Sequence, residues 1–326
     1  MSNTNFQGKI RVASRIIDFL SSGLYHSPAA CLKELINNAY DADATRVEVY
    51  VKPDAGRIII DDNGCGMSKD DFTSHFDRIS ESHKRRSSDR TERGRPKIGK
   101  IGIGFIAANE ICEVMEIYST KAGSTELLHV RINFDEMRKS PEERRLDQTD
   151  FVKADYDGEI LLAKEEEHYT SIFLTSVRGA ARETMASANL LNRDMKARSL
   201  YGLREENIIK ELKSTNLNTW KDFDLYSQTM LQVALNVPVV YYPEWLPQQL
   251  QLIVADMVRE VEALDFHVYY DGIEIKKPIV FAPHSDAAFL SHFHYPALLN
   301  PPSESAKCAR RGNPSLRQNS IQLRPM

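Results

Sequence analysis

The chain contains few cysteines and no long apolar run. Its four cysteines, Cys31, Cys65, Cys112 and Cys308, are scattered without CxxC spacing. This predicts neither a zinc site nor a disulfide framework and fits a reducing compartment. No stretch of 18 or more apolar residues occurs, so no membrane-spanning helix is predicted. The opening MSNTNFQGKIR has no apolar signal core, and we therefore expect a cytoplasmic protein.

A strong excess of charge of one sign is also absent. The chain has 42 Lys and Arg against 46 Asp and Glu, a net charge of −4 at pH 7. Its overall charge therefore gives no reason to expect nucleic-acid binding. With 42% hydrophobic and 27% charged residues, the composition is typical of a soluble globular protein. A length of 326 residues suggests two domains.

Strand and helix signals alternate along the first 180 residues. Helices are predicted at 14–22, 27–42, 68–77 and 101–110, and strands at 9–13, 47–51, 57–60, 112–120, 125–134, 157–163 and 170–175. This pattern predicts an α/β fold in which helices pack on a sheet, a two-layer sandwich. We assign residues 1–180 to this first domain.

The rest of the chain has a different pattern. Residues 181–298 are predicted to be a helical region and part of a second domain. They include a helix near 247–264 and a hairpin that turns at the DG of FHVYYDGIEIKKPIVF. Residues 299–326 are rich in Pro, Ser and Arg and are predicted to be a disordered tail. They could also be the remnant of a domain that was cut short.

The segment LKELINNAYDADA, residues 32–44, places Glu34, Asn38 and Asp41 on one helix face. At about 100° per residue these side chains fall within roughly 60° of one another. The apolar residues fall on the opposite side: Leu32, Leu35, Ile36 and Ala39. Taken alone, the segment is also compatible with an ordinary amphipathic helix.

Two glycine-containing stretches follow. In IIIDDNGCGM a buried strand leads to Asp62 and a turn with Gly64 and Gly66. Glycines there let the backbone approach a flat ligand, and the carboxylate can accept a hydrogen bond from an amine. In IGKIGIGF, residues 98–105, glycines precede a predicted helix, an arrangement that binds phosphate. The spacing differs from the GxGxxG and GxxxxGK[ST] motifs.

In this order, the three stretches resemble the boxes of the GHKL ATPases, which include gyrase-type topoisomerases, heat-shock chaperone ATPases, histidine kinases, MutL and MORC proteins. The ExxxN box with its nearby DA corresponds to Glu34, Asn38, Asp41 and Ala42; DxGxG followed by Met corresponds to Asp62, Gly64, Gly66 and Met67; and GxxGxGF corresponds to Gly99, Gly102, Gly104 and Phe105. Thr170 matches a threonine on a late strand. The resemblance covers roughly residues 9–176 and implies the Bergerat, histidine-kinase-like ATPase fold with a mixed sheet.

The resemblance favours the hydrolytic branch. Histidine kinases generally lack the hydrolytic glutamate and carry a phosphoacceptor histidine helix upstream. This chain has Glu34, and only about 25 residues precede the helix that carries it. A chaperone-like or MORC/MutL-like ATPase is therefore the better match.

The resemblance also implies roles for single residues and a requirement for ATP and Mg²⁺. Asp62 would accept the adenine amino group with support from Thr170. Asn38 would complete the coordination of Mg²⁺, and Glu34 would orient and deprotonate the attacking water. Asp41 would brace the pocket. Backbone N–H groups of Gly102, Ile103, Gly104 and Phe105 would contact the phosphates.

The basic segment 83–100 would form the lid over the nucleotide. It carries eight Lys and Arg residues against two acids. Its SHK, Ser82–Lys84, resembles the segment that opens the lid in the MutL and chaperone branches, and Lys84 and Lys100 are candidate phosphate contacts. Lys276 and Lys277 are candidates for the basic residue that a second domain contributes to the γ-phosphate.

We therefore expect slow ATP hydrolysis that drives lid closure and formation of a homodimer. One alternative is an ATP-binding, DNA-associated module in repair, chromosome maintenance or phage defence. Another is a nucleotide-binding scaffold with little turnover. The basic lid could contact nucleic acid, although one such loop is thin evidence.

Overall fold

The computed structural model describes residues 4–13, 27–52, 54–76, 89–99, 104–138, 151–186, 197–213, 222–242 and 248–278. Its strands are β1 (Thr4–Ala13), β2 (Arg46–Lys52), β3 (Arg57–Asp62), β4 (Val114–Thr120), β5 (Glu126–Asn133), β6 (Phe151–Leu162), β7 (Tyr169–Thr175), β8 (Tyr241–Tyr242), β9 (His267–Tyr270), β10 (Ile273–Glu274) and β11 (Lys277–Pro278). Its α-helices are α1 (Pro28–Asp41), α2 (Lys69–Phe76), α3 (Gly104–Ala107), α4 (Gly179–Met185), α5 (Glu205–Lys213), α6 (Leu225–Asn236) and α7 (Gln248–Glu262). Short 3-10 helices lie at Ala108–Glu110 and Asp135–Arg138.

Nine strands form one sheet in the order β1-β6-β5-β4-β7-β3-β2-β9-β10. Neighbouring strands run antiparallel, apart from the parallel pair of β2 and β9. One face of the sheet and the helices share a single apolar core. The predicted two-layer α/β sandwich with a mixed sheet is confirmed.

The first helix forms where its local sequence predicts. The Ser27 hydroxyl accepts a hydrogen bond from the Ala30 N–H at 3.2 Å, and Pro28 lies in the first turn. Leu35 and Ile36 on its apolar face are buried. The helix therefore packs on the sheet through one side and leaves its polar face toward the candidate site.

Late residues of the chain complete the sheet. The predicted hairpin is confirmed: β9 and β10 are joined by Asp271 and Gly272, which both have positive φ, at 48° and 81°. The Asp271 carboxylate accepts hydrogen bonds from the Val51 N–H at 2.9 Å and the Tyr226 hydroxyl at 3.0 Å. The sheet thus continues past residue 180, so the expected domain boundary does not coincide with a sheet edge.

The predicted helix 14–22 and the tail 299–326 lie outside the described residues. The predicted helix 101–110 is seen only from Gly104, as one short α-helix followed by a 3-10 turn.

Among the described helices the longest has 15 residues, and none has the length and apolar character needed to cross a membrane.

Candidate functional site

The polar face of α1 meets the glycine loop at Gly99. Asp41 accepts hydrogen bonds from the Ile98 N–H at 2.9 Å and the Gly99 N–H at 2.7 Å, one on each carboxylate oxygen. A Cβ added to Gly99 would lie 2.6 Å from Asp41 Oδ2 and 4.0 Å from Asn38 Oδ1. The first and third predicted boxes are therefore in contact, and a side chain at position 99 would displace the Asp41 carboxylate.

Glu34 lies one helical turn before Asn38 on the same face. Its carboxylate forms an ion pair with Lys33 Nζ at 2.8 Å, and both side chains are partly exposed. The predicted catalytic carboxylate is thus paired at the surface of the helix.

The second box brings a buried carboxyl group to the end of β3. Asp62 is 9% exposed, and its Oδ1 accepts a hydrogen bond from the Gly64 N–H at 2.8 Å. Burial raises the pKa of Asp62 to about 7, and the nearby Asp61 adds to this, whereas the Gly64 N–H and His168 oppose it. This carboxyl group changes its charge close to neutral pH.

The turn after Asp62 is held between α1 and β4. The Cys65 N–H donates to the Ala42 carbonyl at 2.8 Å, which fixes the turn to the end of α1. Gly66 has φ +68°, and a Cβ there would overlap the carbonyl oxygen of Thr120. Glycine is required at this position for both its backbone conformation and the close approach of β4.

Two buried hydroxyl groups adjoin Asp62. Thr170 is 5% exposed and Ser119 is 0% exposed. In the sheet Asp62 pairs with Thr170, and Thr170 pairs with Ser119. The two hydroxyl oxygens are 2.9 Å apart. Three neighbouring strands, β3, β7 and β4, therefore contribute one polar side chain each to the same buried patch.

Sequence reasoning missed two residues that hold this patch. Ser119 Oγ accepts a hydrogen bond from the Met67 N–H at 2.9 Å, and His168 Nδ1 donates to the Gly64 carbonyl at 2.8 Å. Neither residue belongs to a local motif. For Ser119, a signal exists only in strand pairing, because it lies opposite Thr170.

In the second half of the basic segment 83–100, one arginine is buried instead of solvent-exposed. Arg95 is 5% exposed and donates from Nη1 to the Ala44 carbonyl at 2.6 Å and from Nη2 to the Asp265 carbonyl at 2.9 Å. Its guanidinium group lies over the rings of Tyr40 and Phe266, 5.1 and 5.8 Å from their centres. Arg95 is thus an internal contact and not a solvated lid cation.

Five predicted site residues lie outside the described residues: Ser82, Lys84, Lys100, Gly102 and Ile103. Of the other glycine-loop residues, Gly104 begins α3 and Phe105 is buried. The proposed contacts of this loop with phosphate therefore stay predictions.

Both lysines considered as γ-phosphate contacts have partners elsewhere. Lys276 Nζ is 2.6 Å from a carboxylate oxygen of Glu205. Lys277 Nζ donates to the Val237 carbonyl at 3.1 Å, and its burial lowers its pKa to about 8. In this structure each is engaged within the C-terminal half of the chain.

A groove of about 410 Å³ lies on the opposite face of the sheet, lined in part by Glu116, Tyr118 and Phe173. It contains none of the predicted site residues. The candidate site is therefore the helix-covered side, at the ends of β3, β7 and β4.

Comparison with known proteins agrees with this geometry. The profile of the family described as "Histidine kinase-, DNA gyrase B-, and HSP90-like ATPase" matches residues 25–161. This match confirms the resemblance to the GHKL superfamily over residues 25–161.

Individual relatives fall into two kinds. A protein named putative type II restriction enzyme HgiDII, from Herpetosiphon aurantiacus, is 37% identical over 123 residues, which are 38% of this chain and 19% of that protein. Proteins named chaperone protein HtpG, from Mesorhizobium japonicum and Bacillus subtilis, are 29% and 28% identical over 134 residues, 35% of this chain and 21% of each protein. The chain spans about a fifth of the length of these curated relatives.

Proposed function

We propose that this chain binds ATP with Mg²⁺ and hydrolyses it slowly, and that nucleotide binding closes a lid and promotes dimerisation, as in a chaperone-like or MORC/MutL-like conformational machine. The observation that carries this proposal is the convergence of Asp62, Asp41, Asn38 and Gly99 around the C-terminal end of α1 within a GHKL-type ATPase domain. The family supports ATP binding. The steps after binding are our proposal.

We call the part of the site around Asp62 and Thr170 the base end. It fits adenine because its side-chain oxygens can accept hydrogen bonds from an amine. In our proposal Asp62 accepts the amino group, and Thr170, its cross-strand neighbour, supports this contact. Gly64, Gly66 and Met67 shape the loop beside the base. The fit rests on a buried carboxyl group that has the Gly64 N–H as its backbone partner and gains from a further donor.

We call the part of the site around Glu34, Asn38 and Gly99 the phosphate end. It fits a hydrated Mg²⁺ ion bound with the nucleotide. Asn38 would supply an amide oxygen, and few protein ligands are needed because phosphate and water supply the rest. No cluster of three or more His, Cys, Asp or Glu residues suited to a metal occurs in the described part of the chain. The ion, when bound, would neutralise phosphate charge. Glu34 would orient and deprotonate the attacking water.

The lid proposal draws on both the sequence and the anchor at Asp41. With Ile98 and Gly99 bonded to Asp41, the N–H groups that follow, at Gly102, Ile103, Gly104 and Phe105, would bind the phosphates, together with Ser82, Lys84 and Lys100. We expect hydrogen exchange in residues 80–104 to slow with a non-hydrolysable ATP analogue and to slow less with ADP. Unchanged exchange at saturation would disprove the lid assignment.

The central test is ATP turnover and self-association by the purified chain. We expect Mg²⁺-dependent binding by calorimetry, slow phosphate release, and a shift toward dimer in sedimentation with the non-hydrolysable analogue. Absence of ATP binding would refute the proposed function. Rapid turnover by a monomer would show that no second-domain lysine is needed and would refute the dimer requirement.

A second candidate function is an ATP-binding module that acts on DNA. One observation favours it: the relative with 37% identity is named as a putative restriction enzyme. ATP turnover measured with and without duplex DNA, together with a client-refolding assay, separates the two. Stimulation by DNA supports the DNA-associated module, whereas suppression of client aggregation supports the chaperone-like machine.

A further inference from the structure

The hydroxyl group of Ser119 has three hydrogen-bond partners whose chemistry fixes its orientation. The Tyr169 carbonyl, 3.0 Å away, can only accept. The Met67 N–H, 2.9 Å away, can only donate. A serine hydroxyl has a single proton, and its hydrogen bond to the Tyr169 carbonyl uses that proton. Ser119 then has only lone pairs to offer to its third partner.

The third partner is the Thr170 hydroxyl, 2.9 Å away. By geometry alone either hydroxyl could donate in this pair; with the Ser119 proton on the Tyr169 carbonyl, the donor is Thr170. The Thr170 proton is thereby used, and its oxygen is left with lone pairs alone. Both hydroxyl groups are buried, so bulk water does not compete for these bonds.

Asp62 lies beside Thr170, because the two residues are paired across β3 and β7 and both point to the buried side of the sheet. An ionised carboxylate is also an acceptor only. The pocket therefore presents two adjacent acceptors. A water molecule held between them would donate one proton to each and would itself have only acceptor positions left.

We propose that Ser119 sets the hydrogen-bond polarity of the base pocket and thereby makes it select a 6-amino purine over a 6-oxo purine. The inference rests on the proposed function, in which Asp62 and Thr170 face the base. A 6-amino group brings two protons to these acceptors. A 6-oxo group brings lone pairs that find no donor, and an unmatched buried polar group is costly. Ser119 is a positioning residue in this account, since it acts through Thr170.

The test compares the affinities of ATP and ITP for the full chain by calorimetry at pH 8, where Asp62 is ionised. Wild type should prefer ATP. Ser119→Ala frees the Thr170 proton to serve an oxo group, so the ratio of ATP to ITP affinity should fall roughly 3- to 10-fold, the equivalent of one neutral hydrogen bond. Ser119→Ala also removes the hydrogen bond from the Met67 N–H. This loss should weaken the binding of both nucleotides alike, so it cancels in the ratio.

The decisive control is the same substitution made without the threonine hydroxyl. In a Thr170→Val background, Ser119→Ala should leave the ratio unchanged, because no proton remains to be redirected. Thr170→Ser should retain the wild-type ratio. An unchanged ratio in Ser119→Ala, or an equal fall in the Thr170→Val background, would overturn the inference while leaving ATP binding intact.

A measurement on the wild-type protein covers the case in which Ser119→Ala does not fold. A purine ribonucleoside triphosphate without a 6-substituent should bind more tightly than ITP, since it lacks the unmatched oxo group. If ITP binds equally well or better, the inference is wrong. If wild type binds none of these nucleotides, it is the proposed function itself that fails.

Discussion

The base end and the phosphate end of the candidate site are built in different ways. At the base end, three neighbouring strands each supply a buried polar side chain, and the two hydroxyl groups are hydrogen-bonded to each other. At the phosphate end, partly exposed side chains of one helix contact a loop whose backbone N–H groups donate to the Asp41 carboxylate. Strand register cannot adjust to a ligand, whereas a helix face and a glycine loop can. We therefore expect base-end changes to alter affinity and phosphate-end changes to alter turnover.

The largest effect is expected at Glu34. Glu34→Ala should lower kcat by about 10²–10⁴-fold, the usual contribution of a general base, while ATP affinity changes little. Steady-state phosphate release and calorimetry measure the two quantities separately. Glu126→Ala, which removes an exposed carboxylate at the start of β5, is the control. Full turnover in Glu34→Ala would show that the proposed base is wrong.

At the base end, Asp62→Asn should weaken ATP binding by about 10–150-fold, because a hydrogen bond to a charged group contributes about 1.5–3 kcal/mol. The matched control is Asp61→Asn, one residue earlier on the opposite face of β3. Calorimetry should show near wild-type affinity for that control. Equal losses in both variants would remove the distinction between the two faces.

Two glycines with positive φ test whether the base-end turn is held by packing. Gly66→Ala and Gly123→Ala both place a side chain at positive φ, at 68° and 78°, a strain of about 1–2 kcal/mol. Only Gly66 faces an overlap, with Thr120, whereas Gly123 has open space. Urea unfolding should show an additional loss of about 1–3 kcal/mol for Gly66→Ala. Equal losses in the two variants would contradict the observed packing.

The smallest effect concerns pH. Asp62 has a pKa of about 7 before ligand binds, and an amine needs the ionised carboxylate. ATP affinity should therefore rise as the pH increases toward 7, by up to about tenfold per pH unit, and level off above pH 7. The Asp62→Asn variant should lack this component, whereas titration of the nucleotide itself persists in both. Parallel pH profiles for the two proteins would argue against the proposal.

The same pKa has the opposite consequence for folding. The folded protein keeps a proton on Asp62 that the unfolded chain, with an ordinary pKa of 3.8, releases. The contribution of Asp62 to the free energy of unfolding therefore falls as pH rises from about 4 to about 7. Urea titrations of the ligand-free wild type and Asp62→Asn across this range would show the difference.

The sequence predicts those features that depend on near neighbours. Apolar spacing predicts α1, alternation predicts β2, and the DG pair predicts the hairpin turn at Asp271. The role of Ser119 depends on the register of β4 against β7, strands about 50 residues apart, which no local pattern encodes. Arg95 looks like part of a solvated basic loop until Phe266 packs against it. What escapes sequence reasoning here is set by contacts between distant segments.

The parallel pairing of β2 with β9 has a consequence for how the protein is made. The Val51 N–H and its Asp271 acceptor are 220 residues apart, so at typical elongation rates a ribosome needs roughly 10–45 s to deliver the second after the first. During that interval β2 is an unprotected sheet edge, open to pairing with other nascent chains. Expression temperature and chaperone supply should therefore affect the yield of this protein more than its modest hydrophobicity suggests.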